Sequence, residues 1–180
     1  MTQLPPTFLV VGLARTGTSM MMKCLTDGGL TPKHVQQSGE MELNPYGVFE
    51  LEATETNHPA FPSHTKYRGH LVKVSPFVGH QLEHSDYYTV FMTRRYGATL
   101  QSAKRTGQAR VYSMDAQAYY LTVLEAARAF RNHSIAFATF DIMDIVDSPL
   151  ATFQTLSKLG WPIDPELASK TVCKSHVHYQ

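Results

Sequence analysis

Apolar residues fall along the chain in two rhythms, short unbroken runs and longer stretches at helical spacing. The run T-F-L-V-V-G at Thr7–Gly12 is rich in β-branched residues and closed by glycine, the pattern of a strand buried on both faces. Met20, Met21, Met22 and Leu25 then recur near helical spacing, which predicts a helix over 18–25 with Gly28-Gly29 as its stop. Further strands are predicted at Leu71–Val74, at Tyr87–Thr93 and over 135–140. The longest helix is predicted over 114–131, with Ser113 as its cap and Tyr120, Leu121, Leu124, Ala127 and Phe130 as its apolar stripe. Ser148-Pro149 opens another helix that Gly160 stops, and Asp164-Pro165 repeats the start signal.

Strands that alternate with helices imply an α/β fold of three layers, α/β/α, around a mainly parallel central sheet. Ligands of such sheets lie beyond the carboxyl ends of the strands, so the site is expected after Val11, Val74 and Thr93. Residues 31–68 carry Pro32, Pro45, Pro59 and Pro62 with little periodicity, which predicts an irregular excursion with one short helix over 48–55. No internal repeat interrupts this plan.

The composition narrows the class. A chain of 180 residues, 43% hydrophobic and 17% charged, suits one globular domain spanning 1–180. A net charge of +1 argues against a nucleic-acid partner, and the longest apolar run, 8–14, falls far short of the ~20 residues of a membrane span. Residues 1–6 lack the basic and apolar segments of a leader, so a cytoplasmic protein is expected. Cys24 and Cys173 form no C-x-x-C pair, which fits a reducing compartment and leaves one long-range disulfide open. The 9 histidines are scattered; only His80 and His84 share a spacing that suits one helical face, and no H-E-x-x-H pattern accompanies them.

The chemistry gathers at the first turn. G-L-A-R-T-G-T-S over 12–19 spaces its glycines as in the phosphate loop G-x-x-x-x-G-K-[S/T], but Thr18 stands where that loop has its lysine. Backbone N–H groups and a helix N-terminus remain suited to an anion, and Arg15 adds a cation within the turn.

This segment resembles the P-[K/R]-[S/T]-G-T-[S/T] motif of the sulfotransferase superfamily, here A-R-T-G-T-S over 14–19 with Ala14 in place of the proline. The resemblance implies a P-loop NTPase-like sulfotransferase fold. It also implies that Arg15, Thr16, Gly17, Thr18 and Ser19 grip the 5′-phosphosulfate of 3′-phosphoadenosine 5′-phosphosulfate (PAPS). A second match, Y-T-V-F-M-T-R-R-Y-G-A-T-L-Q-S over 88–102, resembles the family's strand ending in R-[D/R]-P and its following serine. It implies that Arg94 and Ser102 bind the 3′-phosphate, a role that suits a guanidinium fork and a hydroxyl donor.

H-L-V-K-V-S-P-F over 70–77 is similar to the family's strand-end lysine segments, which implies that Lys73 faces the transferring sulfuryl group. Ser75 stands where cytosolic members have a catalytic histidine, so the base must come from elsewhere. N-P-Y-G-V-F-E over 44–50 resembles a segment of bacterial sulfotransferase-like proteins and implies Glu50 as that base, with Glu52 as the alternative. Residues 139–160 resemble the family's closing strand and helix, whereas its C-terminal R-K-G segment is absent.

The implied activity is sulfuryl transfer from PAPS to a hydroxyl or amine acceptor on a small molecule or glycan, with no metal required. Positioning and charge stabilisation would supply the catalysis, through Arg15, Lys73 and the N–H groups of the turn. Two other readings stay open: a P-loop nucleotide or small-molecule kinase, and a nucleotide-binding module that has lost catalysis.

Overall fold

The structure, a computed structural model, describes residues 5–33, 46, 49, 65–82, 86–106 and 115–173. Four strands, β1 (Thr7–Gly12), β2 (Leu71–Val74), β3 (Tyr87–Thr93) and β4 (Ser134–Asp141), form one sheet in the order β2-β1-β3-β4. Every pairing is parallel, with Val11 beside Val74, Gly12 beside Met92 and Thr93 beside Asp141, so the four carboxyl ends share one edge. After β1 the chain moves to one side for β2 and then to the other for β3 and β4. The strand order therefore reverses between β1 and β3, which is where open α/β sheets bind their ligands.

The helices are α1 (Thr18–Asp27), α2 (Tyr96–Arg105), α3 (Ala116–Asn132), α4 (Ile142–Asp147), α5 (Pro149–Lys158) and α6 (Pro165–Lys170), with short 3₁₀ turns at Thr65–Tyr67 and Pro76–Gln81. Alternation along β1 divides the core. Phe8 and Val10 pack with Met20, Met21, Leu25, Ile145, Phe153, Leu156 and Trp161 on the side of α1, α5 and α6. Leu9 and Val11 pack with Val72, Phe91, Val78, Ala126 and Phe130 on the side of α3. Both faces of the central strands β1 and β3 are covered, which is why they read as apolar runs, whereas the edge strand β4 buries only Ala136 and leaves Ile135 exposed.

The strands Thr7–Gly12, Leu71–Val74 and Tyr87–Thr93 form as expected, and the fourth is one residue longer at each end. Two helix starts also hold: Pro149 and Pro165 each lie in a first turn, and Asp164 Oδ1 accepts from the Glu166 and Leu167 N–H groups at 2.9 and 3.1 Å. Pro fits there because its missing N–H has no helical partner to lose.

The stripe expected on α3 is corrected. Tyr120, Leu121 and Leu124 are 47%, 50% and 65% exposed, while Tyr119, Ala126 and Phe130 are buried. The helix carries apolar residues on more than one face, so periodicity alone offers two candidate stripes, and packing against β3 and the Pro76–Gln81 turn selects one. Its described cap is Asp115, whose Oδ1 accepts from the Ala118 N–H at 2.8 Å; Ser113 lies outside the described residues. The helix expected over 48–55 also lies outside them.

Cys24 and Cys173 are both thiols. Burial pushes the Cys24 thiol up to about 12, with the nearby Asp27 charge acting the same way, so it stays protonated and serves packing. No helix among the described residues is long and apolar enough to cross a membrane. No group of three His, Cys, Asp or Glu side chains among them is placed to hold a metal ion.

Candidate functional site

The turn from β1 into α1 is shaped by its own hydrogen bonds. The Thr16 hydroxyl donates to the Leu13 carbonyl at 2.7 Å, the Thr16 N–H reaches the same oxygen at 3.3 Å, and Thr16 is fully buried. Thr16 therefore closes the loop from inside. Two glycines are required by space. A Cβ on Gly12 would come within 2.6 Å of Thr16 Oγ1 and 2.9 Å of the Met92 carbonyl, and one on Gly17, at φ 92°, would meet Ile142 Cδ1 at 2.8 Å. Arg15 has φ 69°, the left-handed region, and is the non-glycine residue that does so among those described. Gly17 caps α1 and no side chain caps it, which leaves the first turn's N–H groups facing the loop.

Three elements converge on that loop. From α2, the buried Ser102 presents Oγ to Arg15 Nε, which donates to it at 3.1 Å. From the end of β3, the buried Arg94 donates through Nη1 to the Arg15 carbonyl at 3.1 Å, across the point where the strand order reverses. From β2, Lys73 Nζ donates to Ser19 Oγ at 3.4 Å, at the start of α1. Arg15, Ser19, Lys73, Arg94 and Ser102, spread over 88 positions of the chain, thus meet at one edge of the sheet.

Thr18, the residue in the place of an NTPase lysine, is buried at the head of α1. Ser75 accepts from the Phe77 N–H at 3.4 Å and caps the 3₁₀ turn after β2, so its hydroxyl has a structural use. Glu50 and Glu52 lie outside the described residues. Their neighbours in the same segment are placed: Phe49 is buried in the core on the α1 side, and Tyr46 Oη donates to the Cys173 carbonyl at 3.1 Å.

Sequence reasoning passed over one pair of residues here. Tyr119 is buried, and its hydroxyl donates to the Arg94 carbonyl at 2.9 Å while lying 3.3 Å from Thr99 Oγ1. Burial pushes the Tyr119 phenol above its usual range, partly offset by the Thr99 hydrogen bond, so it remains a donor at neutral pH. No spacing in the sequence ties residue 119 to residue 94.

Two guanidiniums, an ammonium, hydroxyls and a helix N-terminus gather at a topological switch point, chemistry that suits an anion. No protein-family model matches the chain, and no curated protein matches it. Among solved structures the chain is similar to the crystal structure of sulfotransferase STF1 from Mycobacterium tuberculosis H37Rv. The two share 14% sequence identity and superpose with a TM-score of 0.53, covering 94% of this chain and 72% of that one. The chain has the sulfotransferase fold, as the resemblance of its motifs implies.

Proposed function

We propose that this chain, as a single domain over 1–180, is a PAPS-dependent sulfotransferase that passes the sulfuryl group to a hydroxyl or amine of a small molecule or glycan. The observation that carries the reading is the bonded set Arg15, Ser102 and Arg94, drawn from three elements to the uncapped start of α1. Such a set fits a ligand with two phosphate groups better than it fits a nucleoside triphosphate, whose usual lysine is replaced by Thr18.

In this proposal the loop from Arg15 through Thr16, Gly17, Thr18 and Ser19 receives the 5′-phosphosulfate. Its N–H groups and the start of α1 face the anion, and Thr16 holds the loop's shape. Arg94 and Ser102 receive the 3′-phosphate. A serine hydroxyl that accepts from Arg15 Nε keeps its own proton to donate, so Ser102 can serve both partners. Arg15 and Lys73 stabilise charge on the sulfuryl and departing phosphate oxygens, and these cations supply what the step needs without calling on a metal. Glu50 takes the acceptor's proton, with Glu52 as the alternative; the burial of Phe49 on the α1 side supports a carboxylate from this segment. The proposal includes a cytoplasmic location, to which thiol Cys24 and Cys173 are suited.

Calorimetric titration with 3′-phosphoadenosine 5′-phosphate, beside ATP with and without magnesium, tests the donor. Selective binding of the bisphosphate, weakened by Arg15→Ala and by Arg94→Ala, is the expected result. Magnesium-dependent binding of ATP with none of the bisphosphate would move the chain to the kinases. Binding of PAPS with no transfer across an acceptor screen would mark a binding module. Lys73→Ala and Glu50→Gln are expected to lower turnover more than donor affinity.

A further inference from the structure

The turn that carries Arg94 is held from α3 by two adjacent tyrosines. Tyr119 Oη donates to the Arg94 carbonyl at 2.9 Å, and the Tyr96 N–H donates to Tyr120 Oη at 3.2 Å. Between them the Arg95 carbonyl accepts from the Thr99 N–H at 3.0 Å and the Thr99 hydroxyl at 3.1 Å. Three successive residues, Arg94, Arg95 and Tyr96, therefore have their backbone bonded to α2 or α3. The rings reinforce this, with Tyr96 and Tyr119 at 5.3 Å between centroids and Tyr119 and Tyr120 edge to face at 5.3 Å.

Tyr96 is also where this chain departs from the R-[D/R]-P pattern. It is the first residue of α2, the helical position at which proline loses no hydrogen bond, and Arg95 at φ −56° and ψ 136° has the conformation a residue before proline adopts. The backbone here is already that of an arginine-proline turn. Without the proline ring, both the stiffness and the satisfied N–H must come from elsewhere. Resting on the donor reading above, we infer that Tyr119 and Tyr120 are positioning residues, a clamp that aims the Arg94 guanidinium at a 3′-phosphate and does the work of the absent proline.

The clamp acts on one residue, so its loss has a specific signature. Tyr119→Phe leaves the packing and removes the hydroxyl, and is expected to weaken 3′-phosphoadenosine 5′-phosphate by about tenfold. It should weaken adenosine 5′-phosphate, which lacks the 3′-phosphate, by less. In an Arg94→Ala background the same change should have no further effect, because there is no guanidinium left to aim. Tyr120→Phe, at an exposed position that keeps the fold intact, is expected to cost about threefold, and adding Tyr96→Pro should restore the wild-type affinity.

Each result can be read. Equal loss of both nucleotides, an effect of Tyr119→Phe that persists beside Arg94→Ala, or failure of Tyr96→Pro to rescue Tyr120→Phe would overturn the clamp while leaving the donor reading in place. Wild-type protein that binds the bisphosphate no better than adenosine 5′-phosphate would remove the donor reading, and the clamp with it.

Discussion

The two ends of the sheet are buried by opposite means. At the amino end, Phe8, Tyr88 and Trp161 meet ring to ring, with centroids 5.4 Å apart for two of the pairs and 6.1 Å for the third. Trp161 Nε1 is buried there with no hydrogen-bond partner among the described residues. At the carboxyl end, the buried side chains Thr16, Arg94, Thr99 and Ser102 are polar, and each is hydrogen-bonded. One end excludes water by packing; the other keeps a guanidinium largely dry and fixes it through the bond from Arg94 Nη1 to the Arg15 carbonyl. A dry, ordered cation is a stronger electrostatic partner for an anion than a solvated one, so the polar end suits ligand binding and the aromatic end suits stability.

Mutations at the two ends should therefore separate folding from binding. Trp161→Ala is expected to have the largest effect on stability, a loss of about 3–5 kcal/mol in denaturant unfolding, since it removes the largest fully buried side chain. Nucleotide affinity of the folded fraction should hardly change. Arg94→Ala should invert that pattern, weakening 3′-phosphoadenosine 5′-phosphate by about 2–3 kcal/mol in calorimetry, the scale of a charge-assisted contact. If Trp161→Ala abolished binding in the folded protein, the two ends would be coupled and the separation wrong.

Smaller effects sharpen the comparison. Asp115→Ala removes the cap of α3 and should cost about 1 kcal/mol of stability, with Asp115→Asn recovering most of it. Asp27 links α1 to α6, paired with Lys23 and accepting from the Thr171 hydroxyl at 2.6 Å. Burial alone would raise its carboxyl, but the Lys23 and Thr171 hydrogen bonds outweigh it and hold the group below its usual value. A carboxyl lowered in the folded state stabilises it above the unfolded value and loses that contribution as pH falls through the folded one. Asp27→Asn should flatten the dependence of melting temperature on pH below about 4, by no more than about 0.5 kcal/mol for so exposed a pair.

Much of the fold was legible because parallel strands buried on both faces, as β1 and β3 are, leave an unambiguous trace. Three of four strands match their apolar runs residue for residue, and Pro149 and Pro165 mark helix starts by local chemistry alone. The register of α3 was not legible. Tyr120, Leu121 and Leu124 make as good a stripe on a helical wheel as the buried Tyr119, Ala126 and Phe130 with the half-buried Val123. Nothing within the helix says which face will meet β3.

The candidate site divides in the same way. Glycine spacing and the Arg15 to Ser19 segment can be read from the chain, since a tight turn before a helix depends on neighbours in sequence. The meeting of Arg94 with the Arg15 carbonyl depends on β1 and β3 being adjacent strands, 79 positions apart at these two residues. Local interactions are written in short windows of sequence and so determined the strands, the loop and the helix starts. Which face α3 buries and which hydroxyl holds the Arg94 carbonyl are set by contacts between distant segments, and only the tertiary structure decided them.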